Sequence, residues 1–142
     1  MVDLEKLVQF VKKYNGKKID YDRQHGAQCV DLFRQCNVEV HGIEEHTGSC
    51  TSSGGAKDLY LDYPVMPVEK KYFLRLSDKA TPVPGDAAIW GESGKNLFGH
   101  VAIVLGVLGD DLIVFEQDGF KLDGAKITVR STNNLLGFLR KK

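Results

Sequence analysis

The apolar pattern of this chain changes period once, at Pro82 and Pro84, and that single change constrains the fold more than any other feature. Before it, apolar residues recur at helical spacing. Leu4, Leu7, Val8 and Val11 define an amphipathic first helix, with Lys12 and Lys13 near its end and Asn15-Gly16 closing it. Cys29, Leu32, Phe33, Cys36 and Val40 fall on one face of a second helix, whose first turn holds Cys29. After the prolines the texture is that of strands, at Asp86 to Trp90, Gly99 to Val107, Asp111 to Glu116, Ile127 to Val129 and Leu135 to Leu139. The breaks are Gly109-Asp110, Asp118-Gly119, Asp123-Gly124 and Asn133-Asn134. Helices first and an antiparallel meander afterwards is α+β order, with N-terminal helices packed on an antiparallel β-sheet.

A polar loop, Gly16 to Gly26, joins the two helices. Residues 41 to 58, rich in Gly, Ser and Thr, read as a surface loop leading into a short helix at Ala56-Lys57-Asp58-Leu59-Tyr60. Too little chain precedes this loop to make a domain of its own. With 142 residues, 42% of them hydrophobic, the chain has material for one core, so residues 1–142 are expected to form a single domain.

Lys and Arg number 19 against 19 Asp and Glu, so no net field draws the protein to nucleic acid. No stretch approaches the roughly 18 apolar residues of a membrane span, and Met1-Val2-Asp3-Leu4-Glu5-Lys6 is unlike a signal peptide. The expectation is a protein made in a cytoplasm without membrane insertion. Three cysteines, with no Cys-x-x-Cys pair, argue against a disulfide framework and against a thiolate zinc site.

A thiolate is the reactive form of cysteine, and free Cys has a pKa of about 8.5, so a catalytic thiol needs something that favours its anion. The start of a helix supplies unpaired N–H groups and a positive dipole end, and Cys29 stands at one. His100 heads the most apolar strand behind Gly99, at a sheet edge from which a side chain can project. If this strand pairs with the next through the Gly109-Asp110 turn, His100 lies beside Glu116, which can orient the ring and hold its charge. Each residue also has a plainer reading: Cys29 as a buried helical cysteine, His100 as a half-exposed strand residue, Glu116 as a solvated strand end. The joint pattern favours a nucleophile, a base and an orienting carboxylate. Cys36 reads as core, Cys50 as a bystander in the loop, and His25 as a rim or solvent residue.

Gly26-Ala27-Gln28-Cys29-Val30-Asp31-Leu32, Pro84-Gly85-Asp86-Ala87-Ala88-Ile89-Trp90, Gly99-His100-Val101-Ala102-Ile103-Val104, Glu116-Gln117-Asp118 and Leu136-Gly137-Phe138-Leu139-Arg140 follow one another in the order of a known family. From about Ile19 to Arg140 the chain resembles the CHAP domain, the cysteine, histidine-dependent amidohydrolases/peptidases of phage endolysins and bacterial wall hydrolases. The resemblance implies a papain-like core with Cys29 as nucleophile, His100 as general base and then acid, and Glu116 as the orienting carboxylate. The family often carries Asn where this chain has Asp118, so Asp118 is either a second carboxylate for the imidazole or part of a turn with Gly119. Trp90 is either core or, as in the family, a lining of the substrate groove.

The spacing Asp20-x-Asp22-x-Gln24-x-Gly26, with Asp31 further on, sets alternate oxygen donors along a tight loop, and Ca²⁺ takes about 6–8 oxygen ligands. It is not an EF-hand, because no Glu closes a twelve-residue loop. It resembles the calcium loop of a subset of phage CHAP domains. That likeness implies side-chain oxygens from Asp20, Asp22 and Asp31 and main-chain carbonyls at Gln24 and Gly26. The plainer alternative is a solvated acidic turn with Asp31 capping or facing water.

The expected function is therefore peptidoglycan hydrolysis of phage-lysin type, at an amide bond of the wall peptide, by an endopeptidase or an N-acetylmuramoyl-L-alanine amidase. Calcium and no organic cofactor are expected, with bacterial peptidoglycan as partner and the protein a monomer or part of a larger lysin. Such an enzyme would be made in the host cytoplasm and act on the wall. The alternatives are a non-catalytic wall-binding or phage structural module on the same fold, and a cytoplasmic thiol peptidase.

Overall fold

The computed structural model describes residues 2–23, 28–43, 47–49, 52–118 and 123–142. Gln24, His25 and Gly26, together with Cys50 and Gly119, lie outside the described residues.

Helix α1 (Leu4–Tyr14) begins at Asp3, whose carboxylate accepts the Lys6 N–H at 3.1 Å. Its buried side chains are Leu7 and Phe10, with Val11 and Tyr14 packed beside them. Leu4 and Val8 are exposed, so the buried stripe is turned from the one that the first four apolar positions suggest. Helix α2 (Cys29–Glu39) buries Leu32, Phe33 and Cys36, and burial pushes the Cys36 thiol up, as befits a core residue. The short helices α3 (Asp58–Leu61) and α4 (Pro67–Tyr72), with a 3₁₀ turn at Tyr63–Val65 between them, lead into the sheet. Pro67 at the first helical position of α4 suits a site whose N–H has no helical partner. Among the described residues no helix is long and apolar enough to cross a membrane.

The sheet holds six antiparallel strands, β1 (Phe73–Ser77), β2 (Ala87–Trp90), β3 (His100–Leu108), β4 (Asp111–Glu116), β5 (Lys126–Arg130) and β6 (Leu135–Lys141). Their order across the sheet is β1-β6-β2-β3-β4-β5. Only β2 to β5 form the expected meander. The last strand returns to lie between β2 and β1, a strand that follows α4 directly and carries no turn signal of its own. Strand β3 is therefore interior, and His100 stands at its end rather than on an edge strand.

Both faces of the sheet's middle are dry. Ile89, Val101, Ile103, Phe115 and Leu139 pack with α1 and α2 in the larger core, whereas Ala88, Ala102, Val104, Val114 and Phe138 form a second cluster. This two-sided burial explains the unbroken apolar runs of β2 and β3. Two of the sequence motifs meet at one buried carboxylate. Asp86, at the start of β2, accepts Arg140 Nε at 3.0 Å and Nη2 at 2.8 Å, which ties β6 to β2.

Candidate active site

Cys29 is the first residue of α2. The entry to the helix is set by Asp31, which accepts the Gln28 N–H at 2.9 Å, so the turn presenting the thiol is fastened from inside the helix. Opposite it, β3 begins at His100, directly after Gly99. Gly99 has φ +74°, and a Cβ there would lie 2.4 Å from the Trp90 carbonyl oxygen and 2.8 Å from Lys57 Cβ. Only glycine can bring the chain so close to β2 immediately before the histidine.

His100 Nε2 lies 2.9 Å from Glu116 Oε1, which leaves Nδ1 for the Cys29 side chain, whose interaction with the ring contributes to its pKa. Burial acts to lower the pKa of this ring, but the hydrogen bonds with Cys29 and Glu116 outweigh it and raise it to about 9. The raised ring is one that can hold a positive charge between the Cys29 side chain and the Glu116 carboxylate. Glu116, 4% exposed, takes Arg130 Nε at 2.7 Å and Nη2 at 3.4 Å as well as the imidazole. Burial acts to raise this carboxyl, and the bonds from His100 and Arg130 overcome it, holding the pKa at about 2.

Trp90 pairs with His100 across the β2 and β3 ladder, with ring centroids 5.8 Å apart at 47°. Its Nε1 donates to the Ser131 carbonyl at 3.0 Å, and the Arg130 guanidinium lies 5.4 Å from its ring centroid. Trp90 is thus buried against the imidazole while also lining the groove.

The groove, about 770 Å³, contains Cys29, His100, Trp90, Asp118 and Arg130 in its walls. Asp118 stands on the wall, and the described contact to the imidazole comes from Glu116. One wall is the Gly54-Gly55 segment. Buried Asp58 accepts the Ser53 N–H at 2.9 Å, the Ser53 hydroxyl at 2.8 Å and the Gly54 N–H at 3.1 Å. The Lys57 N–H then bonds the Phe98 carbonyl at 3.0 Å, and a Cβ on Gly55 would lie 2.5 Å from that same oxygen. The segment expected as a surface loop is in this part a wall of the site.

Sequence reasoning did not single out Arg130 or Gln117. Arg130 lies one residue beyond the strand expected at Ile127 to Val129, and only the pairing of β4 with β5 brings it to Glu116.

Asp20, Asp22 and Asp31 each bring a carboxylate oxygen within 4.8 Å of the others. Among the described residues no hydrogen-bond donor reaches the buried Asp31 Oδ1, and burial with the Asp22 charge lifts Asp31 to about 6 although the Gln28 N–H opposes it. An all-oxygen set with one orphaned buried lone pair fits a hard divalent cation. Arg34 Nη1 approaches the same group, 3.1 Å from Asp22 Oδ2 and 3.8 Å from Asp31 Oδ1.

The sequence profile of the CHAP domain matches residues 16–118, which include Cys29, His100 and Glu116. The chain belongs to the CHAP domain family. No curated protein sequence matches it. Among solved structures this CHAP domain is similar to wild-type endolysin LysIME-EF1, with a TM-score of 0.74 at 24% identity over 99% of this chain and 64% of that one. It is also similar to Ly7917, with a TM-score of 0.67 at 15% identity over 98% of this chain and 62% of that one. A further structure of Ly7917, with the hydrolysing product of MDP, gives a TM-score of 0.68 at 15% identity over 98% and 63%. The chain thus spans a little under two thirds of the length of these proteins. At such identities the likeness establishes the fold, which is the papain-like α+β arrangement of helices on an antiparallel sheet.

Proposed function

We propose that this CHAP domain hydrolyses an amide bond of the bacterial cell-wall peptide through a Cys29 thiolate. The observation that carries the reading is the line of contacts in the groove, from Cys29 at the head of α2 to His100 and from His100 Nε2 to Glu116 at 2.9 Å. Its likeness to endolysins, and the MDP product held by Ly7917, favour peptidoglycan over other amide substrates.

In the first half-reaction the thiolate sulfur attacks the carbonyl carbon. The N–H groups of Cys29 and Val30 at the start of α2 stabilise the oxyanion. The His100 imidazolium gives its proton to the leaving nitrogen, the C–N bond breaks, and a thioester and a free amine result. In the second half-reaction His100 takes a proton from water, whose oxygen attacks the thioester. The C–S bond then breaks, leaving a carboxylic acid, which releases its proton to solvent, and restoring the thiolate and imidazolium. Glu116 keeps the ring turned toward the sulfur and offsets its charge in both halves. Arg130 holds Glu116 in place and ionised.

Asp20, Asp22 and Asp31 would hold Ca²⁺, with Gln24 and Gly26, outside the described residues, as the main-chain ligands that the family resemblance implies. The ion would supply charge neutralisation for the crowded carboxylates and fasten the loop to the first turn of α2. Asp31, the carboxylate that caps Gln28, is shared between that loop and the helix.

The test is digestion of purified peptidoglycan by the chain and by Cys29→Ala, followed by mass spectrometry of the released fragments. Release of new amino groups by the chain and none by the folded variant is the expected result, and the fragment masses identify the scissile bond. Clearing of walls by Cys29→Ala would refute the mechanism.

A further inference from the structure

Gln117 follows Glu116 at the end of β4 and is fully buried. Its carboxamide uses both of its ends. Oε1 accepts the Ile19 N–H at 2.7 Å, while Nε2 donates to the Ile19 carbonyl at 2.6 Å and to the Gln28 carbonyl at 2.9 Å. Ile19 immediately precedes Asp20, and Gln28 immediately precedes Cys29. One side chain therefore ties together the two residues that flank positions 20–27, the second part of the connection between α1 and α2. The residue beside it in the chain orients the imidazole, so two neighbouring side chains leave one strand end for the two halves of the dyad. Glu116 goes to His100, and Gln117 goes to the backbone that presents the thiol.

We infer that Gln117 is a positioning residue that sets the Cys29 to His100 separation by tying the approach to α2 to the same strand end that carries Glu116. The inference rests on the reading of Cys29 as the nucleophile. A buried amide whose three hydrogen bonds all go to backbone determines the position of that backbone closely. An error of about 1 Å in the placement of a nucleophile costs on the order of a hundredfold in rate. The loss of this tie is thus expected in the maximal rate and not in the binding of substrate.

Gln117→Met keeps the length and volume of the side chain and removes its polar ends. Two readouts apply. The first is the rate at which iodoacetamide alkylates Cys29 at one fixed neutral pH, followed by peptide mapping so that Cys36 and Cys50 do not contribute. The second is digestion of purified peptidoglycan, resolved into maximal rate and half-saturating concentration. The expected result is a loss on the order of tenfold to a hundredfold in both the alkylation rate and the maximal rate, with the half-saturating concentration kept and circular dichroism unchanged. Leu7→Ala, which loosens the core under α1, is the stability control and should keep the alkylation rate of the native chain.

Native alkylation and maximal rates in folded Gln117→Met would overturn the inference and leave Gln117 a purely structural residue. If Gln117→Met does not fold, Gln117→Asn applies the same criterion, because its shorter carboxamide cannot span Ile19 and Gln28 together. Alkylation needs no wall substrate, so the two proposals fail separately. A chain whose Cys29 reactivity depends on Gln117 but which leaves walls intact would remove the hydrolase reading alone.

Discussion

Arg130 grips Glu116 with two of its nitrogens, Nε at 2.7 Å from Oε1 and Nη2 at 3.4 Å from Oε2, on the carboxylate whose Oε1 also meets His100. A forked guanidinium fixes the plane of the carboxylate as well as its charge, which a single contact would not do. Arg130→Met is therefore expected to let Glu116 rotate and its pKa rise from about 2 toward the ordinary carboxylate range. The acid limb of the rate profile should move to higher pH, and the maximal rate should fall on the order of tenfold. Arg130→Lys should recover little, since an ammonium does not reproduce the fork. A rate profile of Arg130→Met superimposable on that of the native chain would show that the grip is idle.

Glu116→Gln is the complementary change. It keeps the shape and removes the charge that supports the imidazolium, so the rate should fall by about 10²–10⁴-fold, the range seen when a catalytic histidine loses its support. The pKa of His100, measured by NMR titration of the ring protons, should fall from about 9 at the same time, because a charged partner has been lost. An unchanged titration midpoint would place the source of the shift elsewhere.

The backbone of this site is legible in the sequence because it depends on local signals. Helical spacing from Cys29 to Val40 puts the thiol in a first turn, and the Gly109-Asp110 turn brings β4 back along β3. What escapes the sequence depends on pairings that only the folded sheet creates. Arg130 meets Glu116 fourteen positions away, and Gln117 meets Ile19 ninety-eight positions away. Strand β1 escapes for a different reason. Phe73–Ser77 is five residues long and runs on from α4 without a breaker, so its period cannot be separated from that of the helix before it. The Gly54-Gly55 wall is misread as a surface loop because Gly and Ser mark close backbone approach as readily as exposure.

The pH dependence of stability separates the two charged partners. The pKa of His100 is raised, so its contribution is complete below the ordinary histidine value of about 6.5 and is lost as pH rises toward about 9. The pKa of Glu116 is depressed, so its contribution is complete above the ordinary carboxylate value and is lost as pH falls toward about 2. Thermal unfolding should accordingly show a decline between pH 6.5 and about 9 that His100→Gln lacks. A decline of the same size in that variant would assign it to other groups.

Cation binding offers a test that does not use catalysis. If Asp20, Asp22 and Asp31 hold Ca²⁺, adding the ion at a hundred times its Kd should stabilise the fold by about 2.7 kcal/mol, read as a rise in Tm that a chelator reverses. Asp31→Asn should abolish this rise. The Arg34 guanidinium near Asp22 and Asp31 opposes the ion, so Arg34→Gln should tighten binding measured by calorimetry. An identical Tm in chelator and in millimolar Ca²⁺ would exclude the site.

The ion pair between Asp86 and Arg140 should behave asymmetrically. Asp86 is almost wholly buried, with 2% of its side chain exposed, while 31% of the Arg140 side chain reaches solvent. Removing the arginine strands a carboxylate in the sheet, which costs about 3–5 kcal/mol for a buried charge left unpaired. Removing the carboxylate frees a guanidinium that can turn to water and keep its bond to the Thr81 carbonyl, now 2.9 Å away. Arg140→Met should therefore lower the urea midpoint more than Asp86→Asn, whose amide oxygen can still accept the Val83 N–H that Oδ2 takes at 2.9 Å. Equal losses for the two variants at neutral pH would mean that removing Arg140 does not leave a costly unpaired charge at Asp86.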